Sequence, residues 1–257
     1  MMGEVNEVAD VARARICEIY RLGTIDFLSG RALQEDLADE IGAGRRAAAL
    51  ILLEHPHTFT FGRQGKSENL LWDEYELAQR GVEVHWTDRG GDATYHGPGQ
   101  LVGYPVLPLG RLVTDSRLPA GDFVGYLRNL ETVLIRAVAT LGLATGQQEG
   151  KTGVWVQPDV ASRCRHCPPD ARKSPSKLAS IGVRVTAQGI SQHGFALNVA
   201  PDMRYWEGIV ACDLAETPMI SLADLLEPAP SVEQVAEAIV GEFGKVFQLT
   251  MVEAIGA

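Results

Sequence analysis

Residues 89–101, RGGDATYHGPGQL, constrain this chain more than any other stretch. Five of the thirteen are Gly or Pro, set among an arginine, an aspartate, a threonine, a tyrosine, a histidine and a glutamine. Glycine admits positive φ and lets another molecule come close to the backbone, while proline fixes φ and removes a donor. No core, helix or ordinary strand needs that mixture. A shaped loop bearing polar groups is expected, and ordered long loops usually bind or catalyse.

Around this loop the chain alternates apolar runs with helical spacing. Strands are expected at 16–22, 47–53, 58–62, 82–86, 101–107, 153–157, 178–186 and 190–199. The run 47–53 is apolar throughout and short, as in a strand buried on both faces. The spacing of Ile25, Phe27, Leu28, Leu33, Leu37 and Ile41 predicts a helix ended by Gly42 and Gly44. Further helices are expected over 67–80, over 119–141 with Gly142 as its stop, and over 232–246 with Ser231 as its cap. Ala187, Gln188 and Gly189 suit a hairpin between the last two strands. No repeat or linker interrupts the pattern. The expected class is therefore α/β, a single mixed-sheet domain from 15 to 257, with a flexible polar tail at 1–14 and an exposed insertion at 158–176.

Charge narrows the function. The chain has 257 residues, and 23 Lys and Arg against 33 Asp and Glu give a net charge of −10. That argues against general attraction to nucleic acid or to a membrane surface. No apolar run reaches about 18 residues and no basic-then-apolar leader opens the chain, so a cytoplasmic location is expected. Cys17, Cys164, Cys167 and Cys212 are too few and too scattered for a disulfide framework.

Cys212, in IVACDL, is either a small buried hydrophobe or a nucleophile, and a neighbouring cation decides between them by lowering the thiol pKa. Lys177, in KLASIG, is a solvated charge or that cation, and the small residues after it offer backbone donors to a thioester oxygen. His96 and His193 each precede a glycine and fit a base, a ligand or a satisfied core histidine. Pro56 places His55 and His57 in a turn rather than a strand. Cys164 and Cys167 enclose a histidine in a Pro-, Ser- and Arg-rich segment. They make half of a zinc site without its second pair, so neither metal binding nor catalysis is assigned there.

The strings LLEHPHTFTFGRQG, DRGGDATYHGPGQLVGYPV, GVWV, KLASIG and QHGFALNV, followed by Cys212, resemble the lipoyl(octanoyl) transferases from about residue 17 to 247. That family's order of RGG...TYHGPGQL, K-x-x-S-I-G, HG-x-ALN and cysteine is specific. The resemblance implies a fold similar to the biotin and lipoate protein ligases. It implies octanoyl transfer from octanoyl-acyl carrier protein to a lysine of lipoyl domains, those of the 2-oxoacid dehydrogenase complexes and the glycine cleavage H protein. By resemblance Cys212 attacks the thioester and becomes the acyl-enzyme, while Lys177 lowers its pKa and assists proton movement. Substrate contacts are implied at Arg89, Gly90, Gly91, Asp92, Ala93, Thr94, Tyr95 and His96, at Ser180, Ile181 and Gly182, and at Gly194, Phe195 and Ala196.

Physical chemistry fits these implied roles. The glycines at 90, 91, 97 and 99 let amides face a carbonyl, and donors aimed at an oxyanion are worth about 3 kcal/mol each. An eight-carbon chain buried at about 0.8 kcal/mol per methylene calls for an apolar slot. A thioester is already activated, so no cofactor or metal is expected, and no GxxxxGK[ST] loop occurs. Two departures stand out: Ala211 where the family usually has proline, and Lys173, a second lysine in a lengthened segment. Acidic partners would dock on local positive charge, with Arg45, Arg46, Arg63, Lys66, Arg163, Arg165, Arg172 and Lys173 as candidates.

Two other readings share these features. An ATP-dependent lipoate or biotin ligase would need nucleotide to activate free acid. A noncatalytic carrier-binding protein would tolerate loss of Cys212.

Overall fold

A computed structural model describes residues 15–110, 122–162, 169–211 and 217–254. The tail 1–14, Cys164, Cys167 and Cys212 lie outside them. The described chain is a mixed α/β domain of two sheets. The larger has the order β11-β1-β2-β6-β10-β9-β8-β7 and the smaller β4-β3-β5. In the larger sheet β1 (Ile16–Thr24) runs parallel to β2 (Ala48–Glu54) and to β11 (Thr250–Glu253). From β2 onward, β6 (Gln100–Val106), β10 (Ser191–Asn198), β9 (Ser176–Val185), β8 (Lys151–Val156) and β7 (Gly146–Gln148) alternate antiparallel.

Alternation along β2 shows why its sequence is apolar throughout. Ala48, Leu50 and Leu52 join the core under helices α3 (Phe123–Thr140) and α6 (Val232–Phe247). Ala49, Ile51 and Leu53 join a second core under α1 (Phe27–Gly42). Helices thus cover both faces, and burying a Leu or Ile contributes about 1.5–3 kcal/mol. The Asp26 side chain caps α1 by accepting the Ser29 amide, Ser221 caps the short α5 (Leu222–Leu225), and Ser231 caps α6 in a reciprocal box with Gln234. No described helix is long and apolar enough to cross a membrane.

The smaller sheet sets β3 (Thr58–Phe61) between parallel β4 (Glu83–Trp86) and antiparallel β5 (Ala93–His96). Phe59, Phe61, Ala93 and Tyr95 pack there with Trp72 and Ile209. Strand β5 corrects the expectation of a loop through 89–101, because Ala93–His96 is fully laddered to β3 and buried. The expected helix 67–80 is also broken. After a 3₁₀ turn at Ser67–Asn69 the Leu71 amide turns to the Gly208 carbonyl, and an Asp73–Glu76 capping box starts α2 (Glu74–Arg80) afresh. Within the segment 158–176, expected to be an exposed insertion, α4 (Pro158–Ala161) and a 3₁₀ turn at Pro169–Arg172 bury Ala161 and Ala171 in the main core, so its described parts are anchored rather than wholly exposed.

Candidate active site

The two sheets meet at Arg89–Gly91. The amides of Gly62, Arg63 and Gln64 donate to the carbonyls of Asp92, Arg89 and Gly91, tying the loop to the end of β3. The Gly90 amide donates to the Val183 carbonyl of β9 at 2.9 Å, tying the same loop to the larger sheet. Inside this joint lies the buried Arg89 guanidinium. It donates to the Thr60 carbonyl (2.5 Å), the Asp92 carbonyl (2.7 Å), the Gly90 carbonyl (3.0 Å) and the Thr60 hydroxyl (3.0 Å).

A small cavity of about 40 Å³, partly open to solvent, occupies the joint. Arg89, Gly90, Gly91, Thr94 and His96 form one wall. Strand β9 adds Lys177, Ser180, Ile181 and Gly182, and β10 adds Gly194, Phe195 and Ala196. Residues of the glycine-rich string, KLASIG and QHGFALNV therefore converge on one cavity. Asp92, Ala93 and Tyr95 do not line it: Asp92 accepts from Asn69 at 2.5 Å, and Ala93 and Tyr95 face the small aromatic core. Gly97 and Gly99 are also elsewhere. The Gly99 amide donates to Glu54 at 2.6 Å, and a Cβ on Gly97 would lie 1.9 Å from the Tyr95 oxygen.

Lys173 is exposed and pairs with Asp170 at 3.5 Å, whereas Lys177 is buried on the cavity wall. In a regular strand Lys177 and Ser180, three apart, would face opposite sides. The β8–β9 register explains why both line the cavity: Val154 pairs with Ala179 but Trp155 pairs with Lys177, so Leu178 is an extra residue. Leu178 and Ala179 consequently enter the same core, and the bulge returns Lys177 to the face of Ser180. The Lys177 amide donates to Pro218 at 2.9 Å, and Ala211 bridges to Ala93 beside cavity-lining Thr94.

Phe27, Thr60, Tyr104 and His193 also line the cavity. His193 had a sequence signal before its glycine, but the other three look like ordinary core or strand residues. Hydrogen bonds fix the orientation of this floor. Gln100 donates its amide to the Tyr95 carbonyl and to Asn198, leaving its oxygen to accept from His96 Nδ1 at 2.9 Å. His96 Nε2 then accepts from the Thr60 hydroxyl at 3.3 Å. Similarly His55 Nδ1 donates to the Ile25 carbonyl and its Nε2 accepts from the Tyr104 hydroxyl, both at 2.7 Å.

Burial holds these histidines neutral. It pushes His55 and His96 below the ordinary imidazole value, and His193 to about 4 despite the Asp88 carboxylate 3.2 Å from its Nε2. The unfolded chain titrates its histidines near 6.5 and binds more protons than the folded chain between there and pH 4. Stability is therefore expected to fall as pH drops through that window. His193→Gln should remove part of the loss, up to about 3 kcal/mol, as read by urea unfolding at pH 7 and pH 4. An unchanged pH dependence in the variant would contradict this assignment.

Of the cations expected to dock partners, Arg45 is paired with Glu40 at 2.6 Å and Arg46 with Glu18 at 2.9 Å, while Arg63, Lys66 and Arg172 are exposed. Arg163 and Arg165 lie outside the described residues.

Residues 26–244 match the lipoyl protein ligase A/B catalytic domain. The chain is 39% identical over 234 residues to an octanoyltransferase of Acidobacterium capsulatum, covering 90% of both chains. It is 38% identical over 236 residues to one of Chloroflexus aurantiacus, covering 91% of this chain and 96% of that one. The fold matches lipoate-protein ligase A bound with ATP (TM-score 0.67, 14% identity, 93% of this chain and 88% of that one). It also matches a bipartite lipoate protein ligase of Thermoplasma acidophilum (TM-score 0.65, 15% identity, 93% and 86%). With its sequence relatives matching over nearly their whole length and the catalytic-domain match spanning the cavity, this chain is an acyltransferase belonging to the octanoyltransferases of the lipoyl protein ligase A/B catalytic-domain family.

Proposed function

We propose that this enzyme takes an octanoyl group from octanoyl-acyl carrier protein onto Cys212 as a thioester and passes it to a lysine of a lipoyl domain. The observation that carries this reading is the convergence of Lys177, Gly90, Gly91 and Ser180–Gly182 on one cavity. Its support extends to the chain on either side of Cys212: Ala211 pairs with Ala93, next to cavity-lining Thr94, and Pro218 accepts from Lys177. Cys212 attacks the donor carbonyl, and the carrier thiolate leaves. The Lys177 ammonium stabilises the attacking thiolate and supplies a proton to the departing sulfur. The acceptor amine then attacks the acyl-enzyme, its proton passes to the now neutral Lys177 amine, and the cysteine leaves as the thiolate paired with the restored ammonium. Small residues at Gly90, Gly91 and Gly182 let a substrate approach backbone groups, and Phe27, Ile181 and Phe195 give the acyl chain apolar walls.

Intact-protein mass spectrometry tests this directly. After mixing with octanoyl-acyl carrier protein and no nucleotide, the wild type is expected to gain one octanoyl mass and Cys212→Ser none. Adding a lipoyl domain should move that mass to the domain. Transfer only with ATP and free octanoate would instead make the chain a ligase, and undiminished transfer by Cys212→Ser would remove the cysteine intermediate.

A further inference from the structure

The bulge that turns Lys177 into the cavity lies against a second anomaly on the neighbouring strand. Gly153 of β8 has φ +125°, which side-chain-bearing residues rarely adopt. A Cβ there would meet the Ala179 carbonyl at 2.5 Å and Lys177 Cε at 2.8 Å. The Lys177 side chain therefore runs directly across the Gly153 α-carbon, toward a position 5.4 Å from the centre of the buried Trp155 ring. That ring offers its face to the ammonium.

What fixes Gly153 comes from the opposite layer. Its amide donates at 2.9 Å to Glu131 Oε1, a carboxylate of α3 with 0% exposure. The other oxygen accepts from Arg128 at 2.7 Å. A carboxylate buried this deeply is costly unless its oxygens are satisfied, and here one is satisfied by the peptide that carries the unusual φ.

We propose that Glu131 and Gly153 are positioning residues for Lys177: the buried carboxylate holds the Gly153 peptide, which keeps the lane above its α-carbon open for the lysine chain. The inference rests on the reading of Lys177 as the cation of the reaction. Neither residue lines the cavity, so their effect must pass through the lysine. The spacing K-x-x-S and the glycine of GVWV become two halves of one device, a bulge on β9 and a gap on β8 facing it.

A double-mutant cycle tests this with the full-length enzyme, octanoyl-acyl carrier protein and a lipoyl domain, in Gly153→Ala, Lys177→Met and the double variant. Gly153→Ala is expected to lower kcat about 30-fold with KM within about 3-fold, because misplacing a reacting-end group acts on the chemical step. In the Lys177→Met background the same change should cost less than about 3-fold. Equal losses in both backgrounds overturn the proposal. Wild-type kcat in Lys177→Met overturns the role of Lys177 itself, and the inference with it.

Should Gly153→Ala fail to fold, Glu131 carries the same test. Glu131→Gln keeps an oxygen for the Gly153 amide and should rescue kcat to within about 3-fold, whereas Glu131→Leu should lose about 10-fold or more, again only while Lys177 is present. A Glu131→Leu loss that is as large without Lys177 as with it overturns the proposal.

Discussion

Arg89→Ala is expected to destabilise the protein by about 3–5 kcal/mol, because it removes one buried donor shared by three backbone carbonyls and a hydroxyl. The carbonyls of Thr60, Asp92 and Gly90 all accept from this one side chain, as does the Thr60 hydroxyl. Thr60 belongs to the small sheet, while the Gly90 amide is bonded to β9 of the large one, so the guanidinium sits at the joint. A domain of ordinary stability holds about 5–15 kcal/mol in all, and a loss of this size leaves it folded but marginal. Activity should fall further than stability, by about 100-fold at a temperature where the variant is folded, since Gly90 and Gly91 are cavity walls fixed through the same bonds.

Arg89→Lys should recover little. One ammonium on a flexible stem does not reproduce a planar fork reaching carbonyls on two sides. Urea unfolding together with transfer kinetics at low temperature checks both variants. An Arg89→Ala protein within about 1 kcal/mol of wild type would show that water replaces the guanidinium at the joint.

Much of this joint was legible in the sequence, and the exceptions have physical causes. The strand at 47–53 announces itself because both of its faces are buried, whereas β11 is short, largely exposed and apolar at only two of its four positions. Strand β5 was hidden by its neighbours: the density of Gly and Pro around Ala93–His96 speaks for a loop, but those residues make tight turns at both ends of a four-residue buried strand. Thr60, Tyr104 and Phe27 gave no signal, because each fits an unremarkable strand or helix and acquires its place only when two sheets and α1 come together. Lys177 shows a different limit. Its candidacy was readable, yet strict alternation would point it away from Ser180, and only the register against β8 reveals the extra residue.

Glycine is where sequence reading blends two causes, close packing and close approach of a ligand. Gly182 lines the cavity and is also crowded, its would-be Cβ 2.8 Å from the Gly90 carbonyl, whereas Gly91 lines the cavity with its would-be Cβ in only ordinary contact, 3.5 Å from Arg89. Gly97 and Gly99 carry only the first: both were expected to aim amides at substrate, but Gly97 lies under the Tyr95 ring and Gly99 against the Ala200 carbonyl at 2.4 Å from its would-be Cβ. A glycine-rich string thus marks a crowded place before it marks a binding one.

Gly194→Ala separates the two causes most sharply. Resemblance makes Gly194 a substrate contact, and it does line the cavity, but a Cβ there would stand 2.2 Å from the Gly103 carbonyl and 2.6 Å from Pro105 Cδ. Both neighbours belong to β6, next to β10 in the middle of a sheet covered on both faces, and a Cβ on Gly103 would in turn strike the Phe195 ring. Neither strand has room to retreat. Gly194→Ala is therefore expected to cost about 3 kcal/mol and to lower Tm by roughly 6–12 °C in a chain of this size. Gly90→Ala is the contrast, because its Cβ would meet only the Val183 carbonyl, at 3.4 Å, an ordinary contact. Its stability should stay within about 0.5 kcal/mol of wild type, so any loss of transfer in Gly90→Ala reports the substrate rather than the fold. Thermal unfolding and transfer kinetics on the pair decide the matter. Unchanged Tm in Gly194→Ala would mean that β6 and β10 can part by several tenths of an ångström, and its glycine would then be required by the ligand alone.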